Sequence, residues 1–192
     1  AASSAERGWA ELVRARVLAG RGERDAAREA ALRARELRPA GDVAYYYEII
    51  GVLLQVRDAE AASAEIREMP AFIRETEQGA LARAEVALLT RDLDELSAAL
   101  ESSGTGGLSE YLRGRLFEAR DDWERANEFY ERAERHAEVR ARAKSRRAGI
   151  LLRQGQPEPA EALLRPLWER GAVEAEVASV WVRTRLDLQD VD

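Results

Sequence analysis

The segment LRGRLFEARDDWERANEFYERA, residues 112–133, decides the fold. Its small residues stand among bulky ones at Gly114, Ala126 and Ala133, which are 12 and then 7 positions apart. Asp122 lies between the first two of them, where an aspartate can accept hydrogen bonds from the free N–H groups at the start of a helix. We therefore predict two helices joined by a tight turn and packed where the small residues let their axes approach closely.

Composition limits the class of protein. The chain has 192 residues, of which 46% are hydrophobic and 34% charged, and it has no cysteine. This length suits one domain or a short repeat array, and the missing cysteines exclude disulfides and thiolate metal sites. The formal net charge of −6 argues against a nucleic-acid partner. No window approaches the roughly 18 apolar residues of a membrane span, so we expect no membrane insertion.

The residue choice also bears on origin. Lys144 is the only lysine among the 30 basic residues, and alanine and arginine are abundant. This bias is typical of GC-rich, bacterial coding. The sequence leaves open whether the compartment is bacterial cytoplasm or periplasm, because no targeting segment is visible.

Helix-forming residues dominate the whole chain. Prolines are few, runs of β-branched residues are missing, and alanine, leucine, arginine and glutamate prevail. Turn residues break this pattern at regular intervals, as in RPAGD (38–42), VRDAE (56–60) and TRDLD (90–94). We predict an all-α protein with helices near 5–19, 23–37, 42–56, 58–68, 72–89, 92–101, 108–119, 122–135, 138–153, 157–170 and 172–187.

The opening pattern recurs along the chain. Four segments share the order arginine, small residue, any residue, aliphatic residue, and a fifth has isoleucine in place of the arginine. Their starting positions differ by 36, 33, 30 and 34, which is typical of a helical repeat array. The segments are RARVL (14–18), IGVLL (50–54), RAEVA (83–87), RGRLF (113–117) and RAGIL (147–151).

Spacing within the repeats is also shared. Ala27 and Ala34 follow Ala15 by 12 and 19 positions, as Ala126 and Ala133 follow Gly114. After Ala148, the same positions hold Ala160 and Leu167. In the second repeat Ser63 lies 12 positions after Gly51, and in the third Leu96 lies 12 positions after Ala84.

These offsets resemble those of the tetratricopeptide repeat over nearly the whole chain. The resemblance implies a right-handed superhelix, an α-solenoid, of about five antiparallel helix pairs plus a C-terminal capping helix. It also implies that the first helix of each pair lines the concave face and that stability comes from stacking neighbours. We therefore expect one domain over 1–192, with repeats at 5–40, 42–70, 72–102, 108–136 and 138–170. The cap is expected at 172–187, and the alternative is that this helix begins a truncated repeat.

Members of this family mostly bind peptides or segments of partner proteins. The resemblance implies a non-enzymatic protein–protein interaction scaffold that binds such a segment in its concave groove. The alternative is a regulatory or sensor domain of a larger bacterial signalling or transcriptional protein. The sequence leaves the partner and the oligomeric state open.

A basic segment, RARAKSRRAGILLR (140–153), is the best candidate for the binding surface. Arg142, Arg146 and Arg153 fall on one side of a helix because offsets of 4 and 11 return to nearly the same direction. An acidic peptide would suit them through charge-assisted hydrogen bonds, whereas the alternative is a solvated face balanced by Glu134 and Glu138. The resemblance places Arg142 and Arg146 toward the groove. The predicted peptide-binding residues are Tyr111, Arg115, Glu118, Arg142, Arg146 and Arg153.

Signals of catalysis are weak. His136 is the only histidine, and at a helix end it favours a role as a mild stabiliser of the helix dipole. The glycines of GTGGLS (104–109) lack the strand and lysine of a phosphate-binding loop and favour a hinge. We expect no enzyme, no metal and no cofactor.

Three successive tyrosines, Tyr45–Tyr47, cover three directions on one helix, so at least one should face a groove or a neighbouring repeat.

Overall fold

The computed structural model of the chain describes residues 3–39, 41–171 and 175–189, and these parts form helices without a strand. The all-α prediction is confirmed. The predicted start of the last helix at 172 and the predicted end of the first repeat at 40 lie outside the described residues. The helices are α1 Ser4–Gly20, α2 Arg24–Glu36, α3 Val43–Val56, α4 Ala59–Glu68, α5 Ala71–Arg74, α6 Glu77–Thr90, α7 Leu93–Glu101, α8 Gly107–Ala119, α9 Trp123–Ala133, α10 Arg140–Arg153, α11 Pro157–Trp168 and α12 Ala175–Gln189.

The helices group into two compact units, residues 1–103 and residues 104–192. In the first unit α1 packs on α2, α3 on α4 and α6 on α7, and the first helices also touch in the order α1, α3, α6. In the second unit α8 packs on α9 and α10 on α11, while α12 touches both α10 and α11. Consecutive helix pairs are therefore present in each unit. A single repeat domain over 1–192 and a right-handed superhelix stay predictions.

Aspartates begin four helices, as the turn patterns predict. In each case a side-chain oxygen accepts a hydrogen bond from the backbone N–H three residues on, which satisfies a donor that the helix leaves free. The residues are Asp42, which accepts from Tyr45 at 3.4 Å, Asp58 from Ala61 at 3.0 Å, Asp92 from Glu95 at 3.0 Å and Asp122 from Arg125 at 3.2 Å.

The predicted helix 72–89 is wrong as a single element, because α5 ends at Arg74 and α6 begins at Glu77. Thr76 causes the break: its Oγ1 accepts from the N–H of Gly79 at 3.0 Å and donates to the carbonyl of Ile73 at 2.7 Å. A β-carbon at Gly79 would overlap the backbone of Ile73. Glycine is therefore required where the short α5 folds back on the first turn of α6.

Small residues are buried where the first, fourth and fifth repeats predict them. Ala15, Ala27 and Ala34 have no exposed surface. The same holds for Ala126, Ala133, Ala148 and Ala160. The spacing of 12 therefore marks core positions in these three repeats, and the spacing of 19 does so in the first and fourth, whereas Leu167 of the fifth is half-buried.

In the second repeat the predicted register is wrong by one position. Gly51 is exposed, and a β-carbon there would meet no heavy atom within 4 Å. The buried set with the repeat spacing starts instead at Ile50, with Leu53, Ala62 and Met69 at 3, 12 and 19 positions beyond it. Isoleucine thus takes the place of the small residue in this pair.

Gly114 makes a close approach, but the group that lies nearest is the Tyr130 ring rather than Ala126. A β-carbon at Gly114 would lie 2.5 Å from Cε1 and 2.6 Å from Cδ1 of that ring. Beside it Phe117 and Phe129 stack with ring centres 5.2 Å apart. Aromatic residues therefore fill the space between α8 and α9.

The three successive tyrosines differ in burial, as expected for side chains that point in three directions from one helix. Tyr45 and Tyr46 are buried in the core of the first unit. Tyr47 is half-buried and lines a surface depression, with its hydroxyl 3.2 Å from Oγ1 of Thr76. One tyrosine of the three therefore faces a groove.

Candidate functional site

All six predicted binding residues lie in the second unit, on α8 and α10, and five of them come together. Arg153 does not join the others, because it is exposed at the end of α10 with its guanidinium 4.9 Å from the centre of the Trp123 ring. The five that cluster are Tyr111, Arg115 and Glu118 from α8 and Arg142 and Arg146 from α10.

Tyr111 forms the floor of this cluster rather than its exposed surface. Only 4% of Tyr111 is exposed, and its ring lies 5.8 Å from that of Tyr130, centre to centre. The guanidinium of Arg142 lies 5.1 Å from the centre of the Tyr111 ring, within the range of a cation–π interaction. Arg115 Nη1 donates to the Tyr111 hydroxyl at 3.5 Å. Tyr111 thus contacts two of the arginines, Arg142 through its ring and Arg115 through its hydroxyl.

Glu118 is the central anion of the cluster. Its carboxylate accepts a hydrogen bond from the hydroxyl of Tyr130, which lies on α9. Arg146 Nη1 lies 3.3 Å from Oε1, and Arg115 Nε lies 3.6 Å from Oε2. Its partners therefore come from its own helix, from the helix paired with it and from the first helix of the next pair.

Arg146 links three helices. Besides its contact with Glu118 on α8, its Nε lies 2.6 Å from Oε1 of Glu176 on α12. Glu176 was missed by the sequence prediction, although it lies 34 residues after Arg142, one repeat period further along the chain. Stepping the pattern forward by one period is the signal that finds it. Tyr130 is also absent from the predicted binding residues, and its hydroxyl adds a hydrogen bond to the site.

Burial decides which charge states the cluster holds. Burial raises the pKa of Tyr130, and the negative charge of Glu118 and its hydrogen bond to the hydroxyl raise it further. Burial alone would lower the pKa of Arg146, but Tyr111, Glu176 and Glu118 outweigh it, so that pKa lies above its ordinary value. Tyr130 therefore stays a neutral donor, and Arg146 stays a cation.

Arg142 carries the charge that the cluster does not neutralise. Three arginines and two glutamates leave one net positive charge, and no carboxylate of the described residues lies within salt-bridge distance of Arg142. Two turns further along the same face of α10, Gly149 has no heavy atom of the described residues within 4 Å of where its β-carbon would be. Arg142 thus provides a partly exposed positive charge on this face.

Arg147, which also belongs to this segment, connects α10 to α9 of the preceding helix pair instead. Arg147 Nε donates to Oδ1 of Asn127 at 3.0 Å, and Nη1 donates to Glu134 at 2.8 Å. Glu134 therefore balances Arg147, whereas Glu138 lies beside His136, with 3.9 Å between Oε1 and Nδ1. The alternative interpretation, in which Glu134 and Glu138 balance the segment, accounts for Arg147 and not for Arg142.

No protein-family model matches the chain, and no curated protein matches its sequence. None of the helices in the described ranges combines the length and apolar character needed to cross a membrane. Within residues 3–39, 41–171 and 175–189, no three histidine, aspartate or glutamate side chains come together as a potential metal site. What the site binds is therefore inferred from the charges and geometry of its own side chains.

Proposed function

We propose that the chain is a non-enzymatic interaction scaffold of the tetratricopeptide-repeat type, which binds an acidic protein segment along α8, α10 and α12. The observation that carries this proposal is the guanidinium of Arg142, which lies over Tyr111 and forms no salt bridge with any carboxylate in the described ranges. A carboxylate of the partner would complete the pairing with a charge-assisted hydrogen bond.

Two features support the repeat type. Contacts between successive first helices recur in both units, α1 to α3 and α3 to α6 in one and α10 to α12 in the other. With the register corrected at Ile50, the buried close-approach positions fall at residues 15, 50, 84, 114 and 148, which are 35, 34, 30 and 34 residues apart. A nearly constant period favours stacked pairs with their first helices on one face. In a right-handed superhelix that face is concave.

The role of each side chain follows from its contacts. Tyr111 and Glu118 are positioning residues, since one supports Arg142 and the other holds Arg146 and Arg115. Arg142 is the residue that meets the partner. Tyr130 and Arg146, whose pKa values lie well above their ordinary values, both contact partners within the chain. This favours a role in binding over one in proton transfer.

The test compares two arginines that each lie over an aromatic ring. Arg142 lies over Tyr111 on a first helix, and Arg132 lies over Phe129, 4.8 Å from the ring centre, on a second helix. The probes are fluorescent glutamate-rich peptides and their glutamine-rich counterparts, titrated by anisotropy. We expect Arg142→Gln to weaken binding of the acidic peptides about tenfold, or about 1.4 kcal/mol, and Arg132→Gln to change it less than twofold.

Two results would overturn the proposal. One is that the wild-type chain binds the glutamine-rich peptides as tightly as the glutamate-rich ones. The other is that the two arginine variants lose affinity equally, since that would show a general charge effect without a site at Arg142.

A further inference from the structure

A depression of about 670 Å³ lies in the first unit between α4 and α7, which are the second helices of two successive pairs. The first helix α6 packs against both of them and closes the depression from below. Because its walls are second helices, it is not part of the face that the repeat resemblance assigns to an extended segment. Its lining includes Ile66 and Arg67 from α4, Arg83, Val86 and Ala87 from α6, and Glu95 from α7.

A missing side chain at Ala87 accounts for this depression. Ala87 lies three positions after the close-approach residue Ala84, where each of the other pairs has a large side chain. Those side chains are Leu18, Leu53, Phe117 and Leu151. In the fourth pair the ring of Phe117 stacks on that of Phe129, with 5.2 Å between ring centres, whereas the corresponding residues of the third pair are Ala87 and Ala99. The third pair therefore lacks the side chain that occupies this position elsewhere in the chain.

The charges of the lining favour an anionic ligand group. Asp92 accepts a hydrogen bond from the N–H of Glu95 at 3.0 Å, and Oε1 of Glu95 accepts one from Nε of Arg83 at 2.8 Å. Arg67, exposed in the last turn of α4, forms no salt bridge with any carboxylate in the described ranges. A ligand carboxylate can therefore pair with Arg67 through charge-assisted hydrogen bonds, whereas a ligand ammonium meets only carboxylates that already have partners.

The length of the depression favours a small molecule over a polypeptide segment. On α6 the lining runs from Arg83 to Thr90, which is about 10 Å at about 1.5 Å per residue. An extended peptide would cross this distance in about three residues. Sites for small molecules are mostly apolar with a few placed polar groups, and here Ile66, Val86 and Ala87 supply apolar surface beside Arg67.

We propose that this depression binds a small aryl carboxylate. The ligand ring lies against Val86 and Ala87, at the position that Phe117 occupies in the fourth pair, and the ligand carboxylate pairs with Arg67. This site shares no residue with that of Arg142, so each of the two proposals can fail without the other.

The first test compares ligands that share a ring and differ in charge. The intact chain is titrated with hydrocinnamate, with its uncharged amide and with phenylpropylamine, and binding is followed by NMR. We expect hydrocinnamate to bind about tenfold more tightly than either of the others, and Arg67→Gln to remove this preference. Arg24→Gln is the matched control and should change affinity less than twofold, since Arg24 is also an exposed helical arginine without a salt bridge to the described residues.

The second test fills the depression. Ala87→Phe introduces the ring that the fourth pair has at this position and should abolish saturable binding of hydrocinnamate. Ala87→Leu introduces the leucine of the first, second and fifth pairs and should weaken binding at least tenfold. Both variants should melt within a few degrees of the wild type, because the added side chains enter open space.

Three results would overturn the proposal. One is that the uncharged amide binds as tightly as hydrocinnamate, and another is that Ala87→Leu binds hydrocinnamate as the wild type does. The third is a melting temperature of Ala87→Leu far below that of the wild type, since this would show that the protein itself occupies the space. Ala87→Leu decides the outcome if Ala87→Phe fails to fold.

Discussion

The Tyr130 ring covers Gly114 so closely that no β-carbon fits between them, since one placed on Gly114 would lie 2.5 Å from Cε1 of the ring. The same tyrosine donates a hydrogen bond to Glu118, the anion that holds Arg146 and Arg115. One side chain thus closes the pair formed by α8 and α9 and orients the candidate site. The packing of this pair and the geometry of the site are therefore coupled.

Gly114→Ala should destabilise the protein by about 1–3 kcal/mol, because the added methyl group must displace the Tyr130 ring from a well-packed position. The measurement is chemical denaturation followed by circular dichroism. Gly149→Ala is the matched control, since its methyl group would enter open space. Equal stability of Gly114→Ala and wild type would show that α8 and α9 do not approach as described.

Tyr130→Phe should cost about 1–2 kcal/mol at neutral pH, because Glu118 loses a buried donor but keeps its two arginines. The ring remains, so the contact with Gly114 is preserved. An unchanged free energy of unfolding would show that the hydroxyl makes no useful hydrogen bond.

The same variant should change the response to alkaline pH. The folded-state pKa of Tyr130 is raised by burial and by Glu118, whereas the pKa of a tyrosine in the unfolded chain is about 10. The folded state then binds more protons, so the stability contributed by this group is fully present below about pH 10 and is lost as pH rises above it. Tyr130→Phe should flatten the decline in stability above about pH 10, measured by urea denaturation across that range. If stability fell equally steeply with pH in the variant and the wild type, the raised pKa of Tyr130 would be contradicted.

Glu65 in the first unit should be far more important for stability than its neighbour Glu68. Glu65 has no exposed surface and pairs with Arg38 and with Arg35, the latter at 3.4 Å, while 43% of the Glu68 side chain is exposed. Glu65→Ala leaves two arginines without their buried partner and should cost about 3 kcal/mol, whereas Glu68→Ala should cost less than about 1 kcal/mol. Thermal unfolding of the two variants measures these costs. An equal loss of stability in Glu65→Ala and Glu68→Ala would contradict the larger role of Glu65.

Binding of an acidic peptide at Arg142 should weaken as salt concentration rises. The guanidinium is partly exposed above Tyr111, so its attraction for a carboxylate is screened by added ions. The slope of affinity against salt should be smaller for Arg142→Gln than for wild type and unchanged for Arg132→Gln. Peptide titrations at low and physiological ionic strength measure it. Parallel slopes for all three proteins would place the charge contact elsewhere.

Local features of this chain could be predicted from the sequence because each depends on neighbouring residues. Asp58, Asp92 and Asp122 cap helices with a hydrogen bond that spans three residues, so a short window contains both partners. The split at Thr76 escaped prediction although it is also local, since the helical pattern on both sides continues without a glycine or proline at the break.

The candidate site was predictable only in part. The spacing of one helix turn placed Arg142 and Arg146 on a common face, and the resemblance to the repeat family implied that Tyr111, Arg115 and Glu118 lie next to them. The partners of each charged group include residues on other helices, such as Tyr130, which donates to Glu118, and Glu176, which pairs with Arg146. These contacts require the positions of three helices at once.

Sequence by itself determined that the chain forms helices in pairs, because helix propensity, capping and the spacing of small residues act over short distances or repeat regularly. Only the tertiary structure decided which of two glycines, Gly114 and Gly51, is buried in a helix contact and which is exposed. Gly114 is buried under Tyr130, whereas Gly51, one position out of register, faces open space. The physical reason is that a shift of one residue turns a side-chain position by about 100° around a helix, which exchanges a core contact for a free surface.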